Sequence, residues 1–164
     1  MEVNIRSALR EDLPEILNIY NEAVRSTAGT YDSEPHTLEQ RTVWFERCES
    51  KGYPILVATQ GEALLGWGSP GPFMERPGFK HTGVCSVYVT ATARGQGIGT
   101  ELIEAMIVEA GRRDLHTVLA AVDASNDASL RLHEKLGFSR VGTFQEIGRK
   151  DDLWHDVVYL QRML

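Results

Sequence analysis

Residues 87–111, VYVTATARGQGIGTELIEAMIVEAG, join an apolar strand to a long helical pattern through a turn holding Gly95, Gly97 and Gly99. Glycine loses more backbone freedom on folding than any other residue and weakens a helix end. Three of them where a helix is about to start need a reason that lies in the bare backbone. A helix N-terminus presents unpaired N–H groups and a partial positive charge, and so receives anions. Without side chains at Gly95, Gly97 and Gly99 a phosphate can reach those groups, and Arg94 adds a full charge beside them.

Three readings compete for this turn. It is a flexible connection rich in glycine, a dinucleotide-binding turn, or a cradle for the pyrophosphate of coenzyme A. The second gains from Asp123 at the end of the next apolar run, but GQGIGT places Thr100 where the third fingerprint glycine belongs. A dinucleotide turn also follows the first strand, whereas this one lies past the middle of the chain. A phosphate-binding loop of the G-K-[ST] kind is absent.

The rest of the chain supplies a frame for the turn. Alternation predicts a first strand in VNIRSAL, and Leu13, Ile16, Leu17, Tyr20 and Val24 carry helical spacing over residues 11–26. A second helix runs from a capping box at Thr37 and Gln40 to Gly52. YPILVAT, QGE and ALLGWGS read as strand, turn and strand; PGPFMERPGFK reads as a loop. HTGVCSVYV resumes as a strand. Ile98, Leu102, Met106 and Ile107 then give the helix after the glycine turn one apolar face. HTVLAAVD is a buried strand, NDASLRLHEKLGF a helix closed by a left-handed cap at Gly137, and SRVGTFQEIG and WHDVVYLQRML the last strands. The order β-α-α-β-β-β-α-β-α-β-β is mixed α/β, without repeats or linkers.

A chain of 164 residues suffices for one domain, expected over residues 1–164. A net charge of -6 without any basic run argues against a nucleic-acid partner. No apolar stretch approaches membrane-spanning length and the N-terminus lacks the pattern of a signal peptide, so a cytoplasmic location is expected. Cys48 and Cys85 read as buried hydrophobes. His36, His81, His116 and His155 show no metal-ligand spacing, so no metal is expected.

Arg94-x-x-Gly97-x-Gly99, set between a VYV strand and a helix, resembles the coenzyme-binding signature of the GNAT superfamily of N-acetyltransferases. NDASLRLHEKLGF resembles its second signature. GTYDSEP, GSPGPFMERPGFKHT and GRKDDLWHDV are similar to segments of the phosphinothricin and methionine sulfoximine acetyltransferase branch, so the likeness covers nearly the whole chain. The resemblance implies one GNAT-type domain, a mostly antiparallel sheet splayed at its fourth and fifth strands, and four flanking helices. It implies acetyl-CoA as donor, the primary amine of a small molecule such as an amino-acid analogue as acceptor, and a homodimer. The alternatives are another amine (a polyamine, an aminoglycoside or a protein N-terminus) and a coenzyme A-binding module without catalysis.

By the same resemblance the coenzyme is held by Val87, Tyr88, Val89, Arg94, Gly95, Gln96, Gly97, Ile98, Gly99, Thr100, Asn126 and Ser129. Asn126 serves equally well as a helix cap. His133 stands at the superfamily's general-acid position, histidine in this branch. The acceptor side draws on Tyr31, Glu34, Arg76, Phe79, Lys80, Val84 and Trp154. Arg76 and Lys80 suit an acceptor carboxylate, and Tyr31 and Trp154 suit pocket walls. The branch carries a glutamate, its proposed base, three residues before VYV, where this chain has Val84; Phe79 likewise replaces an aromatic hydroxyl. Water, His81 and Glu34 are the substitutes for that base, and strand alternation is expected to turn Val84 toward the acceptor pocket.

Overall fold

A computed structural model describes residues 2–26 and 29–164. The elements are β1 Asn4–Ser7, α1 Leu13–Val24, α2 Leu38–Lys51, β2 Leu56–Gln60, β3 Ala63–Pro72, β4 Thr82–Val89, α3 Ile98–Arg112, β5 Thr117–Asp123, α4 Asp127–Lys135, β6 Ser139–Lys150 and β7 Leu153–Met163. The strands form one sheet in the order β1-β2-β3-β4-β5-β7-β6. Every neighbouring pair is antiparallel except β4 with β5. The order of seven strands and four helices is the one the sequence pattern predicts, and the mostly antiparallel sheet is the one the family resemblance implies.

Helices cover both faces of the sheet, because strand side chains alternate and both sets are apolar in the middle strands. Ile16, Ile19, Phe45 and Trp67 cluster under α1 and α2. Leu102, Ile103, Met106, Val118, Leu130 and Leu160 cluster under α3 and α4. The cap of α2 forms as expected: the Gln40 N–H donates to Thr37 Oγ1 at 3.2 Å, and the Thr37 N–H donates to Gln40 Oε1 at 2.8 Å. Gly52 ends that helix at φ 72°, and Gly137 follows α4 at φ 83°.

Two expectations need correction. β3 continues through Pro72, into the segment predicted as loop. β2 pairs with β3 only as far as Gly68, so beyond it one edge of β3 is open and tolerates residues without an N–H. The last two strands also run closer together than predicted, joined by Asp151 and Asp152 alone. Both adopt positive φ, 51° and 61°, the geometry that lets a two-residue turn follow the twist of a hairpin.

Gly66 and Gly68 explain how α3 approaches the sheet. A Cβ on Gly66 would meet the Tyr88 carbonyl oxygen at 2.8 Å and Leu102 Cδ1 at 3.2 Å; one on Gly68 would meet Met106 Sδ at 2.9 Å. The bare backbone of β3 therefore sets the height of α3, and with it the glycine turn at the helix start. Gly68→Val is expected to lower the unfolding free energy by about 1–3 kcal/mol through overpacking, measured by urea denaturation. An unchanged midpoint and slope would show that α3 has room to move.

Candidate active site

The parallel pairing of β4 with β5 is short: Thr82, Gly83 and Val84 face Thr117, Val118 and Leu119, and there it stops. Beyond Val84 the two strands part. The Thr90 N–H donates to the Leu65 carbonyl at 2.9 Å, and residues two apart share a direction in an antiparallel ladder. The N–H groups of Tyr88 and Ser86 therefore face β3, while those of Val87 and Val89 face the gap. The widened gap is a cavity of about 1050 Å³, lined along its length by Cys85, Val87, Val89, Ala121 and Asp123. At one end it meets Arg94, Gly95, Gly97, Ile98, Gly99 and Thr100; Tyr88, Asn126, Ser129 and His133 also line it.

The glycines have separate physical reasons. Gly95 and Gly97 hold φ of 75° and 88°, and Gly97 is the residue on which α3 starts. Gly99 lies in the helix, where a Cβ would come within 3.3 Å of Leu132 on the neighbouring α4. The first helical bond of α3 runs from the Glu101 N–H to the Gly97 carbonyl, so the N–H groups of Ile98, Gly99 and Thr100 lack helical acceptors. Together they form a positive nest at the cavity's end. Arg94 stands beside it, its Nε–H on the Val89 carbonyl at 3.2 Å and its guanidinium 3.4 Å from Glu22 of α1. Gln96 does not line the cavity; its amide donates to the Thr92 carbonyl at 2.8 Å and stiffens the turn.

On the opposite wall Asn126 caps α4, its Oδ1 accepting the Ser129 N–H at 3.1 Å, and it lines the cavity as well. One turn on, His133 is buried with Nδ1 2.8 Å from the Ser129 carbonyl. A carbonyl only accepts, so Nδ1 carries the hydrogen and Nε2 keeps the lone pair. Burial lowers the pKa of the ring and outweighs the Ser129 carbonyl, which raises it. His133 is therefore neutral at neutral pH. Cys85 is no nucleophile there: burial pushes its thiol up to about 12.

The cavity gathers one of the expected acceptor-side residues, Tyr31, whose hydroxyl donates to Asp123 Oδ2 at 2.6 Å. The others stand outside it. Val84 forms the last parallel pair with Leu119 and does not line this cavity. Arg76, Phe79 and Lys80 lie on the exposed β3–β4 connection, at the closed end of the gap, with Phe79 packed edge-on against Phe73. Six residues of strand separate Gly83 from Val89, about 20 Å at strand rise. Glu34 is exposed between α1 and α2, and Trp154 is exposed on the outer hairpin under the Arg149 guanidinium. His81 bonds the Asp114 carbonyl at 2.7 Å, also outside the cavity. Asp123, Ser125 and Ser86 line it without having been assigned a role from sequence. The available signal was a carboxylate ending an otherwise apolar buried strand. No group of three or more His, Cys, Asp or Glu side chains suited to a metal occurs among the described residues.

A parted strand pair leading to a glycine-wrapped helix start is the architecture of a known class. Residues 13–138 match the acetyltransferase (GNAT) family, and the chain belongs to it. It is 40% identical over 162 residues to an L-methionine sulfoximine/L-methionine sulfone acetyltransferase of Pseudomonas aeruginosa, covering 98% of this chain and 94% of that one. A ribosomal-protein-alanine N-acetyltransferase from Brucella melitensis superposes with TM-score 0.96 at 40% identity, covering 98% and 99%. A GNAT superfamily phosphinothricin acetyltransferase from Sinorhizobium meliloti, solved in complex with acetyl-CoA, superposes with TM-score 0.96 at 28% identity, covering 100% and 89%.

A carboxylate placed at Gly97 would close the nest and repel an anion. Gly97→Glu is expected to abolish acetyl-CoA binding in calorimetry while the protein keeps a cooperative melt. Retained affinity would mean that the nest does not hold the pyrophosphate.

Proposed function

We propose that the protein, as one N-acetyltransferase domain over residues 1–164, transfers acetyl from acetyl-CoA to the primary amine of a small amino-acid analogue of the phosphinothricin or methionine sulfoximine type. The observation that carries this reading is the open edge of β4, which leads without interruption to the N–H nest of α3. The nest and Arg94 take the pyrophosphate, while the extended, amide-bearing pantetheine lies along Val87 and Val89 as an added strand. The names of the Pseudomonas and Sinorhizobium proteins favour the amino-acid-analogue acceptor; that of the Brucella structure keeps a peptide N-terminus in the assay.

The transfer is direct. The acceptor ammonium first gives a proton to water; the neutral amine then attacks the thioester carbonyl carbon, the C–N bond forms, and the C–S bond breaks with its electron pair going to sulfur. A gap-facing N–H of β4 that pantetheine leaves free receives the developing oxyanion. The proton lost by nitrogen must reach the thiolate. His133, neutral with its lone pair on Nε2, cannot donate at the outset; it takes that proton and passes it to sulfur. Its lowered pKa keeps the accepting form in place down to the ordinary histidine range, so the acid-side decline of activity follows protonation of the amine and His133 adds its own loss only below that range.

The exposed side chains Val141, Phe144 and Ile147 on the edge strand β6, with Leu153 and Trp154 on β7, support a homodimer through this hairpin. Acetyl-CoA as donor favours the cytoplasm.

Turnover of acetyl-CoA against a panel of amino-acid analogues, polyamines, aminoglycosides and peptides tests the reaction. His133→Phe is expected to lower kcat by roughly 10²-fold with acetyl-CoA affinity unchanged. Equal turnover by the variant would leave His133 a packing residue against Phe138, whose ring it meets edge-on at 5.1 Å.

A further inference from the structure

Asp123 is an unusual carboxylate. It is buried at the end of β5, lines the cavity, and accepts four hydrogen bonds. Ser125 donates its N–H at 2.9 Å and its hydroxyl at 2.5 Å to Oδ1. Tyr31 donates its hydroxyl at 2.6 Å and His155 its Nδ1–H at 2.8 Å to Oδ2. Burial alone would raise the Asp123 pKa; these bonds outweigh it and hold the group ionised.

Its donors are two hydroxyls, a backbone N–H and an imidazole. Among the described residues His155 is its one ion-pair partner. Two basic side chains, Lys150 of β6 and Arg94 on the cavity lining, are committed elsewhere. Lys150 is buried with its ammonium on the carbonyls of Ser26 and Thr30 at 2.8 and 2.6 Å, and Arg94 is held by Glu22. A buried carboxylate draws a cation that enters the cavity, where water screens the attraction poorly.

Tyr31 carries that charge toward the cavity. Its hydrogen is given to Asp123, so its oxygen offers lone pairs only. The ring is fixed in place: a Cβ on Gly148 would come within 2.7 Å of it, and His155 meets it edge-on at 5.7 Å. Gly148 therefore makes the room that Tyr31 occupies, and three segments distant in sequence converge on one acceptor oxygen.

We propose that Tyr31 and Asp123, positioned by His155 and Ser125, form a subsite for the primary ammonium of the acceptor. The inference rests on the acceptor being an amine, as in the reaction above, and it places amine recognition at the end of β5. The replaced glutamate at Val84 is then dispensable for binding, because the negative pole stands on the facing strand. An N–H of the ammonium donates to Tyr31 Oη, and the Asp123 charge holds the cation behind it.

The test is calorimetry on the full chain saturated with coenzyme A, comparing L-methionine sulfone with its desamino carboxylate, which lacks only the amine. The natural protein is expected to favour the amine, and Tyr31→Phe to cut that preference about tenfold or more by removing one oxygen and keeping the ring. Asp123→Asn should abolish the preference and His155→Gln should weaken it. Should Asp123→Asn unfold, seen as lost coenzyme A affinity, Tyr31→Phe decides. A natural protein without preference, or a Tyr31→Phe variant that keeps all of it, overturns the subsite. A natural protein that favours the amine yet acetylates none supports the subsite and overturns the reaction.

Discussion

Everything at the site follows from where the β4–β5 pairing ends. A parallel pair held only from Thr82 to Val84 leaves the outer edge of Val87 and Val89 without a strand partner, with only the Val89 carbonyl taken by Arg94. Backbone groups left so cost free energy unless something pairs with them. A ligand that is itself extended and rich in amides pairs with them as a strand would. The opening is kept by the helices on either side: α3 rests on the bare backbone of Gly66 and Gly68, and α4 packs against α3 at Gly99.

Charge is arranged locally and ignores the overall sum. A chain of net charge -6 still builds an anion site, because the nest on Ile98, Gly99 and Thr100 uses backbone N–H groups and one arginine. On β5, the strand facing β4, the same cavity meets a negative charge at Asp123. On the proposed reading, a donor carrying phosphates and an acceptor carrying an ammonium meet opposite charges within one cleft. The same lining carries two uncharged groups, the buried Cys85 thiol and the His133 imidazole.

Much of this was legible in the sequence. The glycine turn, the apolar face of α3, the capping box at Thr37 and the Gly137 cap are local signals, set by residues a few positions apart. What was missed depends on distant partners. Pro70 and Pro72 stay in β3 because β2 has ended, which no window over residues 70–80 reveals. The Asp151–Asp152 turn lacks the glycine that marks most two-residue hairpins. The bond from Tyr31 to Asp123 spans 92 positions, and only the fold brings the two together.

The central claim is that coenzyme completes the open edge of β4 and the start of α3. Amide hydrogen exchange, resolved by residue and measured with and without acetyl-CoA, tests it most directly. The account predicts that the N–H groups of Val87, Val89, Ile98, Gly99 and Thr100 become protected on binding, while those of Ser86 and Tyr88, already bonded to β3, change little. Binding without added protection at Val87 and Val89 would contradict it.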